Sequence, residues 1–205
     1  MPSAQDPCGA IQEIANEILP SCGQDALHVF LNIHHCICLK AIASGDESIR
    51  QLNARFADTC VLRVRKFRQG KVSQEDLPER WLRALKAYMK DRTAFVQVLP
   101  RMAIAHICDD LPSALLELKD MGVIVAKKVY EEFIDTILEC VDEAYSRPPL
   151  SRNLKERFLH DVARYSGAQR FSIRELRAYA WGMATQREEM RNKLKELFPP
   201  PEGQS

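Results

Sequence analysis

The sequence predicts an all-α fold: a single-domain bundle of roughly eight helices around one apolar central helix. Apolar residues recur at helical spacing almost everywhere between breaks. Glycine and proline number only 8 and 11, and many mark those breaks. No run alternates apolar and polar residues in the manner of a strand. The chain of 205 residues suits one helical domain over residues 1–198, with a flexible C-terminal tail over 199–205.

The first helix is expected over about 7–19, where Asp6 and Pro7 form a cap and first-turn pair and Ile11, Ile14 and Ile18 form the stripe. The second, about 25–44, is apolar nearly all round and is the expected central helix. The third, about 46–69, carries Ile49, Leu52, Phe56, Cys60, Val64 and Phe67 on one stripe, with Arg50, Arg55, Arg63 and Arg65 on its other side. A short helix follows at about 79–90, and another begins near Thr93 and meets Pro100. The stretch "MAIAHICDDLPSAL" (102–115) is broken at Pro112 and resumes to about 121. A long helix is expected over about 125–145, a shorter one over 152–165, and a last one over about 173–197. That last helix is opened by a capping box of Ser172 and Glu175 with Phe171 and Leu176 as staple.

Composition excludes several classes of function. The charge is nearly balanced, with 29 basic and 28 acidic residues, so neither nucleic acid nor an anionic membrane surface is an expected partner. The start "MPSAQDPCGA" has no secretory pattern, and no stretch approaches the ~20 apolar residues of a membrane span. Seven scattered cysteines then read as reduced thiols in a cytoplasmic protein. GxGxxG, Walker, GxSxG, CxxC and HExxH signatures are absent, so no cofactor is expected. The pair Asp109–Asp110 lacks the further acid of an aspartate-rich cyclase helix, and a proline stands there instead.

Candidate chemistry concentrates in two places. His106 lies three and four positions before Asp109 and Asp110, so one helix would set the imidazole beside a carboxylate. That arrangement suits a general acid/base, with His106 and Asp110 as the catalytic candidates. The competing reading makes Asp110 the N-cap of a helix starting at Leu111 and lets His106 bond a carbonyl of the broken turn. On the apolar second helix, His34 and Cys38 share a face while His35 looks elsewhere. They read either as satisfied core groups or as lining of a ligand cavity. A metal would draw on His106, Asp109, Asp110 and His35. Trp81 and Trp181 read as core anchors or as walls of an apolar pocket. The run "RVRKFRQGK" (63–71) reads as a solvated helix end.

Four ordered blocks, "ARFAD" (54–58), "LPERW" (77–81), "AHICDDLPSAL" (105–115) and "SIRELRAYAWGMA" (172–184), resemble domain-of-unknown-function family 5995. His106, Asp110, Leu111, Pro112, Ala114 and Leu115 match its A-H-I-x-x-D-L-P-x-A-L block, and Arg177, Ala180, Trp181 and Ala184 its R-x-x-A-W-x-x-A block. Where the family has Asn-Ala-His-Ile-Asn, this chain has Ile104-Ala105-His106-Ile107-Cys108, and both amides are gone. The resemblance implies a helical fold and candidate positions but no reaction; if the family's amides bind a polar group, this chain takes a ligand that is more apolar or otherwise different. The resulting expectation is a cofactor-independent cyclase or isomerase acting on an apolar small molecule. His106 and Asp110 would be catalytic, and His34, Cys38, Arg177, Trp181 and Trp81 would contact substrate. The alternatives are a non-catalytic binding or interaction module and a metal-dependent hydrolase. Oligomeric state, homodimer included, is left open by the sequence.

Overall fold

The computed structural model describes residues 9–21, 23–146 and 173–197. They are all-α, with no strand among the described residues. Helix α1 (Gly9–Glu13) runs on through a wide turn over Ile14–Ile18 and a tight one over Leu19–Ser21. Then come α2 (Ala26–Ala43), α3 (Glu47–Arg68), α4 (Glu79–Lys90), α5 (Phe95–Ala105), α6 (Leu111–Asp120), α7 (Lys127–Tyr145) and α8 (Ile173–Leu197). The expected helix over 152–165, the tail, and Asp6, Pro7, Phe171 and Ser172 of the expected helix starts lie outside the described residues.

Local chemistry explains most boundaries. Asp25 and Asp46 cap α2 and α3, each carboxylate accepting the backbone N–H three residues on, from His28 and Ile49, at 3.0 Å. Gly45 and Gly70 follow α2 and α3 with φ of 73°, and Gly122 follows α6 with φ of 80°, a left-handed geometry that side chains with a Cβ disfavour. Helix α5 runs through Pro100 rather than ending there.

Helix α4 packs on α5, α6 on α8, and α2 on both α3 and α7. The α2–α7 seam carries Lys40 bound to Glu139 and Glu143 and the Cys36 and Cys140 thiols 3.0 Å apart. With 18 residues and mean hydropathy 1.4, α2 is long and apolar enough to cross a membrane by length and composition. In the fold it buries Phe30, Leu31, His34 and Cys38 against its neighbours and leaves Leu39 half exposed. The most continuously buried stretch is the opening of α6 and the end of α5, where Met102, Ala105, His106, Asp110, Leu111 and Ala114 are all sealed in the core.

The basic run at the end of α3 is bound rather than merely solvated. Arg65 pairs with Glu13, Arg68 donates to the Ile18 carbonyl and Ser21, and Lys66 donates to the Asp76 carbonyl. Arg63, the first of the run, reaches the core, where it meets Asp110.

Candidate functional site

Pro112 shapes the site without breaking the helix. It has no N–H for the carbonyl of Cys108, and its ring would strike that carbonyl in α geometry. The backbone widens instead into one π turn over His106–Asp110, in which the Leu111 N–H bonds the His106 carbonyl five residues back. Asp110 therefore keeps helical dihedrals (φ −92°, ψ −39°), and its side chain accepts no capping bond. This corrects the expectation of a cap between two helices. An uninterrupted helix has few orphan N–H groups at that point for a cap to serve.

The freed Asp110 carboxylate gathers three donors from three elements. His106 Nδ1 lies 3.0 Å from Oδ2, Trp81 Nε1 donates to Oδ2 at 2.9 Å, and Arg63 donates through Nε and Nη2 to Oδ1 at 3.3 Å. Asp110 is fully buried. Burial pushes its carboxyl up to about 6, and the Arg63 guanidinium and the Trp81 N–H hold it from rising further. At neutral pH it is an anion that can only accept, so His106 must present Nδ1–H to it.

That bond fixes the imidazole's tautomer. Burial holds His106 well below its ordinary pKa, and the Arg177 and Arg63 charges add to the effect. The ring is thus neutral, with its Nε2 lone pair free. It stacks on Phe56 with centroids 3.5 Å apart and planes 3° from parallel, and His34 meets it edge-on at 4.7 Å. Nε2 is buried and has no hydrogen-bond partner among the described residues.

Beside this ring lies an apolar cavity of about 70 Å³, walled by α2, α3, α5, α7 and α8. Its lining includes Phe30, His34, Phe56, His106, Ile137 and Arg177. Arg177 is only 3% exposed. Its guanidinium sits 4.6 Å from the centre of the Tyr130 ring, and the Tyr130 hydroxyl donates to its backbone carbonyl at 2.8 Å. Arg177 Nε has no hydrogen-bond partner, and no carboxylate pairs with the guanidinium among the described residues.

The structure brings His106, Asp110, Trp81, His34 and Arg177 to one region but gives them different places. Trp81 is behind Asp110 and outside the cavity lining, where its N–H aims the carboxylate. Cys38 lies behind His34, 3.9 Å from Nε2 and 3.8 Å from the Asn53 carbonyl, also outside the lining. Trp181 packs on Tyr130 at 4.8 Å and lines a separate groove with Leu115, Val125 and Ala184. The two tryptophans therefore do not wall the His106 cavity.

The four residues expected around a metal do not converge. Asp109 is drawn outward to Arg80 at 2.6 Å, Asp110 is engaged by its three donors, and His35 occupies another face of α2 from His34. Among the described residues, the group of potential ligands that does meet is His34, Cys60 and His106, with ligand atoms within 4.8 Å of one another. Burial, then the Asp110 charge, pushes the Cys60 thiol well up, so it stays protonated.

Arg63, Phe56, Cys60 and Tyr130 are the members that sequence reasoning did not assign to the site. The first three sit at i+7, i and i+4 of a single helical stripe, which puts Arg63 on the apolar face and not among the solvated arginines. No family model, curated protein or solved structure matched the chain.

Proposed function

We propose that this chain is a cofactor-independent enzyme that relocates a proton on a compact apolar molecule, in the isomerase or cyclase class. One observation carries the reading. Among the described residues, two of the three buried polar side-chain atoms without a partner, His106 Nε2 and Arg177 Nε, belong to residues that line one cavity. Buried polar atoms are nearly always paired, so an unpaired acceptor and an unpaired donor around one space call for a ligand that satisfies both.

In this reading His106 Nε2 takes a proton from the substrate and returns it at another atom. The imidazolium formed in between is stabilised by Asp110, which Trp81 and Arg63 hold in place. Arg177 offers a positive charge where an oxygen gains negative charge. The stack on Phe56 fixes the ring plane, and the apolar walls exclude water. Membership of family 5995 is part of the proposal, because Trp81, His106, Asp110 and Arg177 of the quoted blocks meet here. So is a cytoplasmic setting, in which Cys36, Cys38, Cys60, Cys108 and Cys140 remain thiols.

The test is solvent-deuterium incorporation. Small apolar carbonyl compounds and acids are incubated with the protein in D₂O, and uptake is followed by mass spectrometry. His106→Gln, checked for fold by circular dichroism, is expected to lose ~10²–10⁴-fold in exchange rate, the usual contribution of a positioned proton acceptor. Full turnover in a folded His106→Gln variant removes the histidine from the mechanism. Ligand binding without any exchange makes the cavity a binding site alone.

A further inference from the structure

We infer that the cavity selects a compact apolar monoanion, with its carboxylate on the Arg177 guanidinium and its hydrocarbon body against the α2 and α7 walls. The inference rests on the cavity being a ligand site, but not on catalysis.

Arg177 is the anomaly. A buried charge is retained when it is paired and hydrogen-bonded, and costs heavily otherwise. Arg63, the other cation that reaches the core, follows that rule with Asp110. Even the more exposed Arg80 and Lys40 have partners, Asp109 for the first and Glu139 and Glu143 for the second. Arg177 is more deeply buried than any of these, yet its described neighbour is the face of Tyr130. A ring face interacts with the flat side of a guanidinium and leaves its N–H edge unanswered. The Tyr130 hydroxyl donates to the Arg177 backbone carbonyl and its oxygen can accept from the guanidinium, but one neutral acceptor leaves Nε unpaired and the charge uncompensated. The planar fork of N–H groups is matched by a carboxylate.

The rest of the lining sets the remainder of the ligand. Ile33, Ile37, Leu99, Ile137 and Val141 offer no polar partner, so the body must be apolar. His106 Nε2 presents a lone pair, because Nδ1 carries the proton toward Asp110. A second anionic group there would be repelled, whereas a proton-bearing atom would be accepted. At ~10–15 Å³ for each water-sized sphere, the cavity has room for about five to seven heavy atoms. A short branched acid has that size.

Isothermal titration of the full chain at neutral pH with isobutyrate, its neutral isostere isobutyramide, and inorganic phosphate tests the inference. Isobutyrate is expected to bind, isobutyramide at least tenfold more weakly, and phosphate not measurably. Arg177→Gln is expected to lower isobutyrate affinity at least tenfold. Should that variant fail to fold, the ¹⁵N–¹H signal of Arg177 Nε in the wild type serves instead, and it should move with isobutyrate and stay with the amide. Equal binding of acid and amide overturns the anionic head group and leaves the ligand site standing. Phosphate binding as well as isobutyrate overturns the apolar body. No binding of any probe at millimolar concentration overturns the inference together with the cavity's role as a ligand site.

Discussion

Replacing Asp110 by alanine separates a buried network from a helix cap, because the two predict different losses. The substitution strands two fully buried donors, His106 Nδ1–H and Trp81 Nε1–H. A buried donor left unsatisfied costs ~1–3 kcal/mol, so the pair amounts to ~2–6 kcal/mol. Arg63 is 17% exposed along its side chain and can turn toward water, so it adds little. Against this, the carboxylate's own burial is unfavourable, as its raised pKa shows, and removing it returns part of the loss. The expected net destabilisation is ~2–4 kcal/mol. A cap would lose ~0.5–2 kcal/mol, typically ~1. Urea unfolding followed by circular dichroism reads the difference as a fall in midpoint of about 1–2 M at an unchanged slope of ~2 kcal/mol/M. A loss below ~1 kcal/mol with the slope preserved would refute the network. The double variant with His106→Leu supplies an internal check, since residues in one hydrogen-bonded network couple by ~0.5–3 kcal/mol and strict additivity would break the link.

Three further outcomes follow from the same geometry. Trp81→Phe keeps the ring but removes the donor to Asp110 Oδ2, so stability should fall by ~1–2 kcal/mol and the Asp110 carboxyl should titrate above about 6 by ¹³C NMR. Acidification should destabilise the protein below pH ~6.5, where the unfolded chain protonates His34 and His106 and the folded one does not. Asp110 acts in the opposite sense, since its folded pKa is raised, so its contribution is present at low pH and is lost as pH rises from about 4 to about 6. In that window His34 and His106 against Asp110 contribute a net loss of ~1.4 kcal/mol per pH unit lowered, to which His35 adds and which the raised Asp58 and Asp109 carboxyls offset; Asp110→Asn should steepen the profile, and an unchanged slope in that variant would refute the part assigned to Asp110. Protein purified without added metal should carry no stoichiometric zinc by elemental analysis, because the Arg177 and Arg63 charges and the protonated Cys60 thiol oppose a cation at His34, Cys60 and His106.

The helices were legible because period and punctuation agree along most of the chain. Gly45, Gly70 and Gly122 stop helices where a left-handed residue is needed, and Asp25 and Asp46 start them with capping bonds. The closeness of His106 to Asp110 was legible from their spacing alone. What else the Asp110 carboxylate gathers was not, because Arg63 and Trp81 lie 47 and 29 positions away in the chain and arrive only through packing. Proline near a helix start usually implies a cap, and that rule misled at Pro112, where a π turn carries the helix through. The Tyr130–Arg177 contact joins α7 to α8 and left no local signature.

The π turn also has a consequence for descent. Such a turn accommodates one residue more than α-helical winding would, while the helices on either side keep their packing faces. A chain lacking one residue between Ala105 and Leu111, and with a residue other than proline in place of Pro112, could therefore hold α5 on α4 and α6 on α8 much as here. It would lose the meeting of His106, Asp110, Trp81 and Arg63. Scaffold and chemistry in this protein are thus separable by two changes within one turn, a deletion and the loss of Pro112, which ask of the bundle only that it remain a bundle.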